Sequence, residues 1–260
     1  MQRFFCPSAN ISGGKIVIDD RDRVHHLKNV LRLKIHDKVV IFDDRGNEYK
    51  AKIEKISWQN AAMIIQEKYQ THAQKKVKIT VACALTKGSK MDDIIDKLTQ
   101  LGAERIIPLL TERVIVKLDR HKALLRKARW EKIAQTASQQ SHRNDIPLIE
   151  APKDIREVLA EAKNFDLKLI PTLSGNRKSL RGIFTPHLVK SRSLERGAGF
   201  TGVHPKNILV LIGPEGDFTA AEVDLAKKSG CIPVSLGDLV LRVETAAIAV
   251  ASFMRLYENG

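Results

Sequence analysis

Hydrophobic and polar residues alternate in two different rhythms along the chain. Up to about residue 70, short apolar runs are separated by polar turns such as Asp44–Asn47. This spacing predicts a small β-barrel or sandwich. The predicted strands are Lys15–Ile18, Lys38–Phe42, Glu48–Ile53 and Ala62–Ile65, with one helix around Val24–Leu33.

The second rhythm begins after the polar stretch Tyr69–Lys76, which has no apolar period. This stretch predicts a domain boundary, so we expect a first domain at 1–72 and a second at 73–260. In the second domain, apolar strand runs alternate with helical patterns, an order typical of α/β domains. The predicted strands are 79–85, 105–110, 168–171 and 207–212.

Two helices of the second domain have a predictable start or face. The first follows Ser89, and we expect the Ser89 side chain to cap this helix against Asp92. The second is long and basic, from His121 to His142. Its apolar spacing predicts an inner face formed by Leu124, Leu125, Ala128, Ala134 and Ala137.

Two turn-rich loops follow short apolar strands within Leu209–Thr245. They are Gly213–Gly216 and Leu236–Asp238. The helix between them begins with a capping box, Thr219 to Glu222, and stops at Gly230. Because ligands of open α/β sheets bind at the carboxyl ends of the strands, this stretch predicts a small-molecule site.

The charge distribution separates this stretch from the rest of the chain. The formal net charge is +14. Residues 75–152 hold 16 Lys and Arg against nine Asp and Glu, whereas residues 207–260 hold four against seven. A basic surface around an acidic segment suits a polyanion outside and a neutral or cationic ligand inside. The alternative is that the basic side chains are ordinary solvated surface residues. The basic segment 175–204 is either a nucleic-acid-binding loop or an insertion.

Composition excludes several classes of protein. The three cysteines, Cys6, Cys83 and Cys231, match neither a disulfide framework nor a zinc site, and the histidines lack metal-ligand spacing. No secretory signal or membrane span is recognisable, so we expect a cytoplasmic protein without a metal. No Ser/His/Asp or Cys/His set for covalent catalysis is apparent.

The candidate chemistry lies in two short segments. Gly213–Gly216 lacks the spacing and the lysine of a phosphate loop, but its glycines allow the backbone to approach a flat ligand, and Glu215 offers a carboxylate. A plain turn before a helix is the alternative. Arg242 and Glu244 lie between apolar residues before a buried helix, as a structural lock or as part of a site.

Basic residues outside these segments are candidates for contacts with nucleic-acid phosphates, or are simply solvated. Lys28 and Arg32 are spaced to share one face of the predicted helix. The full set of predicted nucleic-acid-binding residues is Arg3, His25, His26, Lys28, Arg32, Lys87 and Arg143.

Several motifs together resemble the RsmE family of 16S ribosomal RNA uridine N3-methyltransferases, in the SPOUT superfamily. The matching segments are 25–33, 87–114, 129–147, 211–219 and 236–246, which read HHLKNVLRL, KGSKMDDIIDKLTQLGAERIIPLLTERV, RWEKIAQTASQQSHRNDIP, LIGPEGDFT and LGDLVLRVETA. The match spans nearly the whole chain. The chain departs from the family pattern at His36, Gln100, Val114, Gln139 and Asp217. The family frequently has Gly where this chain has His36 and Asp217.

The resemblance implies a fold and an activity. The expected fold is an N-terminal PUA-like β-barrel for RNA, followed by a SPOUT-type α/β domain with a deep trefoil knot. The expected activity is methylation of N3 of a uridine in 16S ribosomal RNA, free or in the assembled small subunit, with S-adenosylmethionine as donor. A homodimer with its site near the subunit interface is also implied.

The resemblance also assigns residues by position. We expect Arg242 to stabilise a developing uridine anion, and Glu215 to accept a proton or orient the base. The cofactor-binding residues that the resemblance implies are Pro171, Thr172, Leu173, Ile212, Gly213, Pro214, Glu215, Gly216, Leu236, Gly237, Leu239, Leu241 and Thr245.

Two other classes of function stay open on the sequence. A non-catalytic RNA-binding or ribosome-assembly factor would use the same basic surfaces. A nucleotide-dependent enzyme would use Gly213–Gly216 as a phosphate turn, although the acidic local charge and the missing lysine oppose this.

Overall fold

The computed structural model describes residues 1–70, 77–116, 118–173, 175–184 and 205–259. The predicted boundary stretch and the basic segment 175–204 fall largely outside these ranges. The chain forms two compact units. One comprises Met1–Gln74 and Gln135–Ile146, and the other comprises Lys75–Ala134 and Pro147–Gly260.

The N-terminal unit is built on a curled six-stranded sheet. Its strands are β1 (Gln2–Phe5), β2 (Ile11–Ser12), β3 (Lys15–Ile18), β4 (Lys38–Phe42), β5 (Asn47–Ile56) and β6 (Ala61–Gln70). They lie in the order β1-β4-β5-β6-β3-β2, with β1 parallel to β4. Alternate side chains such as Val39, Ile41 and Ile53 are fully buried in one core. The predicted β-architecture is therefore confirmed.

The predicted helix of this unit is present but ends early. It comprises α1 (Arg21–His25) and a π-helical turn, His26–Val30. A hydrogen bond from the Leu31 N–H to the His26 carbonyl (3.0 Å) closes this turn. Arg32 follows with φ at 53°. The prediction that Lys28 and Arg32 share one helix face is therefore wrong, because Arg32 lies beyond the helix in a left-handed conformation.

The C-terminal unit is an α/β fold. Its strands are β7 (Lys78–Ala84), β8 (Arg105–Leu110), β9 (Leu148–Ile149), β10 (Lys153–Asp154), β11 (Leu167–Pro171), β12 (Lys178–Ser179), β13 (Asn207–Ile212) and β14 (Ile232–Ser235). Its helices are α2 (Lys90–Gln100), α3 (Arg120–Gln140), α4 (Ile155–Ala160), α5 (Ala220–Lys228) and α6 (Val243–Asn259). Helix α3 continues into the segment that belongs to the N-terminal unit.

The sheet of the C-terminal unit has the order β10-β8-β7-β13-β11-β14-β12, and every pair in it is parallel. Strands β13, β11 and β14 are therefore neighbours that point the same way. The loops after Ile212, Pro171 and Ser235 consequently emerge at the same edge of the sheet. Parallel strands buried on both faces account for the continuous apolar runs in the sequence.

The predicted cap of α2 is wrong, and the predicted inner face of α3 is only partly right. Ser89 forms no side-chain capping hydrogen bond, because its backbone is helical (φ −87°, ψ −1°) and not extended as a cap requires. The Asp92 carboxylate accepts from Arg129 (2.6 Å) and from the Trp130 indole (3.1 Å). Leu124 is 55% exposed, and Leu125 is exposed as well. Ala128 is exposed too, whereas Ala134 and Ala137 are buried as predicted, together with Trp130, which was not predicted. In the described part of the chain, no helix has the length and apolar character needed to cross a membrane.

The capping box of α5 is confirmed and has a further role. The Thr219 hydroxyl accepts from the Glu222 N–H (3.3 Å), and the Glu222 carboxylate accepts from the Thr219 N–H (2.9 Å). The buried Glu222 carboxylate also accepts from the Glu112 N–H (2.9 Å) in the loop after β8. It therefore ties the helix that follows the Gly213 loop to a second loop.

Replacing Glu222 by Ala is expected to destabilise the protein by about 1–3 kcal/mol, because a cap is lost and the Glu112 N–H loses its partner. Urea unfolding followed by circular dichroism measures the change. Asp224→Ala, on the exposed face of the same helix, is the control and should stay within about 0.5 kcal/mol of the parent. Equal stabilities of the two variants would contradict this account of Glu222.

Candidate functional site

One cleft in the C-terminal unit collects the loops that follow β11, β13 and β14. Most of the residues predicted for the cofactor line it, from all three loops. These are Pro171, Thr172, Leu173, Ile212, Gly213, Pro214, Glu215, Leu236, Gly237, Leu239 and Leu241. The parallel order of the three strands explains why segments far apart in sequence meet here.

Two residues predicted for the cofactor and the predicted catalytic residue Arg242 lie outside the lining, and four other residues belong to it. The Gly216 carbonyl accepts a hydrogen bond from the Arg113 guanidinium, and Thr245 is exposed on the first turn of α6. The unpredicted lining residues are Arg177, Asp217, Val243 and Ala246. Nothing in the sequence motifs marked Arg177, whereas Asp217 stood out as a departure from the family pattern.

Asp217 connects two of the three loops. Its carboxylate accepts from the Leu173 N–H (2.8 Å) and from the Phe218 N–H (2.9 Å). Its backbone has φ at 62°, a left-handed conformation that Asp tolerates better than most residues. The frequent Gly of the family would adopt this conformation freely but could not form the bond to Leu173. The aspartate therefore lacks the conformational freedom of glycine but gains a side-chain hydrogen bond to the Leu173 loop.

Gly213 and Gly237 are required by geometry. A Cβ at Gly213 would approach the Phe218 ring to 2.9 Å, closer than side chains tolerate. Gly237 has φ at 121°, which favours glycine. These two positions keep the loops of the cleft tight.

Glu215 lies at the cleft with its carboxylate in an ion pair. It accepts from the Lys90 ammonium at 2.7 Å, and both side chains are largely exposed. The hydrogen bond from Lys90 and its charge lower the pKa of Glu215, and the same bond raises the pKa of Lys90. Glu215 is therefore a weaker proton acceptor than a free carboxylate and is well suited to hold a hydrogen-bond donor.

Arg242 and Glu244 do not form the structural lock considered above. Arg242 is exposed, and its guanidinium has no ion pair or hydrogen bond within the described ranges, while its carbonyl accepts from the Ala246 N–H (2.8 Å). Glu244 is partly buried, and its Oε2 atom is buried without a hydrogen-bond partner among the described residues. Their charges act on the same neighbour, since both influence the pKa of Lys90. Arg242 is thus an uncompensated cation close to the Lys90–Glu215 pair.

Cysteine chemistry is excluded by burial. All three thiols are buried and unpaired with one another. Burial raises the pKa of Cys6 and Cys231 to about 11 and raises that of Cys83 as well, with a further rise from the charge of Glu244. None of them supplies a thiolate nucleophile at neutral pH. Within the described ranges, no group of His, Cys, Asp and Glu could hold a metal ion.

Two of the cations predicted to bind RNA are already engaged inside the N-terminal unit. The Arg3 side chain is buried, pairs with Glu48 (3.3 Å) and lies over the Phe42 ring (4.1 Å). The buried Arg143 side chain pairs with Asp145 (2.7 Å). Both guanidinium groups have a structural role that sequence position could not reveal.

The other predicted cations remain accessible. His25, His26 and Arg32 are exposed, and so is Lys87 in the C-terminal unit. Lys28 lies over the ring of Trp58, an exposed side chain that the sequence motifs had not indicated. The accessible set of the N-terminal unit therefore centres on α1 and its π-helical turn.

Family models match both parts of the chain. An RNA methyltransferase domain model matches residues 73–255, and an RNA methyltransferase PUA domain model matches residues 18–60. The α/β fold class with an N-terminal PUA domain is thereby confirmed.

Relatives with established names match along nearly the full chain. Ribosomal RNA small subunit methyltransferase E of Bacillus subtilis is 29% identical over 97% of this chain and 95% of its own. A putative methyltransferase of Legionella pneumophila, solved with the bound cofactor SAM, has a TM-score of 0.82 at 29% identity and covers 98% of this chain and 96% of its own.

A second solved structure gives the same result. Ribosomal RNA small subunit methyltransferase E of Neisseria gonorrhoeae, bound to S-adenosyl methionine, has a TM-score of 0.78 at 27% identity, covering 98% of this chain and 97% of that one. The domain models, the full-length similarity and the shared fold agree. The chain belongs to the RNA methyltransferase family that includes ribosomal RNA small subunit methyltransferase E.

Proposed function

We propose that the protein transfers a methyl group from S-adenosylmethionine to N3 of a uridine in 16S ribosomal RNA. The observation that carries this proposal is the cleft. Three loops from neighbouring parallel strands form it, in a fold shared with structures that hold S-adenosylmethionine. The names of the relatives support the small-subunit RNA as substrate, and the resemblance supplies the uridine N3 position.

The residues of the cleft fit this cofactor. Glycine backbone at Gly213 and Gly237 and apolar side chains such as Leu239 suit a flat adenine ring. Glu215 and Asp217 add carboxylates, and Arg177 adds a cation, which match the mixed charges of the methionine part. When bound, the cofactor supplies an electrophilic methyl group on a sulfonium. The loops would hold this group in position for an acceptor, and alignment of this kind can account for much of the acceleration.

Arg242 is the residue assigned to the acceptor. Uridine N3 becomes nucleophilic as it loses its proton, and the negative charge spreads onto the two carbonyl oxygens that flank N3. Arg242 is exposed near the cleft with no ion pair of its own in the described part of the chain, so its guanidinium is free to stabilise this charge. Stabilisation of the anion also promotes loss of the N3 proton to solvent water, since the guanidinium of Arg242 has no acceptor site for it.

Glu215 is assigned a positioning role in preference to the role of proton acceptor. Its carboxylate is already held by Lys90, and its lowered pKa reduces its basicity. It can still accept a hydrogen bond from the base or from the cofactor. Of the two roles expected from the sequence, orientation of the base is the one that this geometry supports.

The assembly follows the family resemblance. The protein acts in the cytoplasm as a homodimer, with a deep trefoil knot in the C-terminal unit and RNA bound by the N-terminal unit. The dimer is supported by Leu239 and Val240, which are 79% and 72% exposed beside the cleft. Apolar side chains so exposed next to a binding site suit coverage by a second copy.

A non-catalytic RNA-binding factor is the competing function. A protein of this class would bind RNA through its basic surface and would not use the cleft. It would therefore need no methyl donor. Calorimetric titration of the purified protein with S-adenosylmethionine separates the two. Binding supports the methyltransferase, and an absence of binding would favour the RNA-binding factor.

Replacing Arg242 by Ala is expected to lower the turnover number by about 100-fold or more, because the anion loses its preorganised stabilisation. Cofactor affinity should largely survive. Transfer of a labelled methyl group to small-subunit RNA and calorimetry measure the two quantities. Arg156→Ala, an exposed arginine on α4, is the control with parent turnover. Parent turnover in the Arg242 variant would remove this residue from the mechanism.

Replacing Asp217 by Gly should weaken S-adenosylmethionine binding by about 5- to 10-fold. The left-handed backbone suits glycine, so the loss reports the two hydrogen bonds to Leu173 and Phe218. Asp217→Asn tolerates this φ and keeps one acceptor oxygen, which can still accept from the Leu173 N–H, so it should lose less affinity than the Gly variant. Calorimetric affinities that are the same for the two variants would show that the carboxylate does not order the Leu173 loop for the cofactor.

A further inference from the structure

Trp58 is the most exposed aromatic feature of the N-terminal unit that has no assigned role. Trp58 is 69% exposed, whereas the other tryptophan of the chain, Trp130, is 1% exposed. Large aromatic side chains contribute most to stability when they are buried. An exposed tryptophan contributes little to the fold, and this one lies in a strongly basic protein.

The turn that carries Trp58 is firmly built. It joins β5 to β6, and the Ser57 N–H donates to the Asn60 carbonyl at 2.9 Å. The Ser57 hydroxyl accepts from the N–H groups of Gln59 (3.2 Å) and Asn60 (3.1 Å). These bonds fix the backbone on both sides of Trp58. The indole ring is therefore presented to solvent from a fixed position.

A lysine from another element lies against the ring. The Lys28 ammonium is 3.8 Å from the centroid of the Trp58 ring, within the range of a cation–π contact. Lys28 has no carboxylate partner among the residues that the structure describes. His25 and His26 are exposed one turn earlier on the same helical segment. The ring and an uncompensated positive charge thus form one surface, here named the Trp58 platform.

We propose that the Trp58 platform binds a nucleobase of the RNA substrate by stacking, while Lys28 contacts an adjacent phosphate. Single-stranded RNA is held by this pairing of an aromatic face with a nearby cation. The proposal rests on the proposed function, since it names how the substrate RNA is held. It assigns the platform to unpaired nucleotides, because a base inside a duplex offers no free face.

The charge of the surroundings favours RNA over a protein partner. Residues 1–74 hold 13 Lys and Arg against nine Asp and Glu. An apolar protein partner would require burial of Lys28 without a carboxylate, which is costly. A nucleotide satisfies both groups at once, since it carries a flat base and a phosphate.

The test uses a labelled single-stranded oligouridylate and purified 16S ribosomal RNA, each titrated with the full-length protein without cofactor. Trp58→Ala is expected to weaken binding by about 5- to 150-fold, and Trp58→Phe should retain most of the affinity. The matched control is Tyr69→Ala. Tyr69 is also an exposed aromatic with a lysine near its ring, at 4.9 Å from Lys50, and its variant should bind like the parent.

Two further readouts separate stacking from charge. The slope of log affinity against log salt should stay the same in Trp58→Ala, whereas it should fall by about 0.7 in Lys28→Gln, one phosphate contact on a single strand. RNA should also quench the fluorescence of Trp58 in the parent protein. The buried Trp130 provides a constant background.

The outcomes distinguish this proposal from the proposed function. Parent affinity in Trp58→Ala, with circular dichroism unchanged, would overturn the platform even if the parent protein transfers methyl groups to the RNA. Quenching and weakened binding without any methyl transfer by the parent protein would support the platform and contradict the enzymatic function. Equal losses in the Trp58 and Tyr69 variants would also overturn the platform.

Discussion

The parallel pairing of β13 with β11, and of β11 with β14, is the constraint on which the candidate site depends. It places the carboxyl ends of three strands side by side, although their loops lie at residues 171–173, 212–217 and 236–241 of the chain. Each loop then needs only local chemistry to face the cleft. Gly213 and Gly237 permit tight turns, and the Asp217 carboxylate holds the Leu173 loop. The cofactor proposal follows from this convergence.

Elements with a clear apolar rhythm could be predicted from the sequence. Strands β3, β4, β8 and β13 have the expected bounds, because β8 and β13 are nearly continuous buried runs and β3 and β4 bury alternate residues. The short strand β1 was not expected. Its residues have no strong alternation, and it is defined by parallel pairing with β4, a contact distant in sequence. The long helix α3 was expected, and its buried face includes the predicted Ala134 and Ala137 but not the predicted Leu124 and Leu125.

Most of the site was predictable for a different reason. Glycine and proline after a strand mark a loop, and the family resemblance assigned the loops to one ligand. Partners of charged side chains were not predictable, since they depend on tertiary neighbours. Ser89 was expected to cap α2 against Asp92 but forms no side-chain capping bond, and the Asp92 carboxylate accepts from Arg129 and Trp130. Arg3 was expected to bind RNA but is buried against Phe42. The departures at His36 and Asp217 fall at positive φ, so they mark positions where side chains replace glycine.

The central claim is that the protein methylates N3 of a uridine in small-subunit RNA. Mass-spectrometric mapping of 16S ribosomal RNA from cells that lack the protein tests this claim most directly. The account predicts that one methylated uridine is missing in these cells and is restored by the parent gene, but not by the Arg242→Ala variant. An unchanged set of methylated uridines in the deletion strain would contradict it.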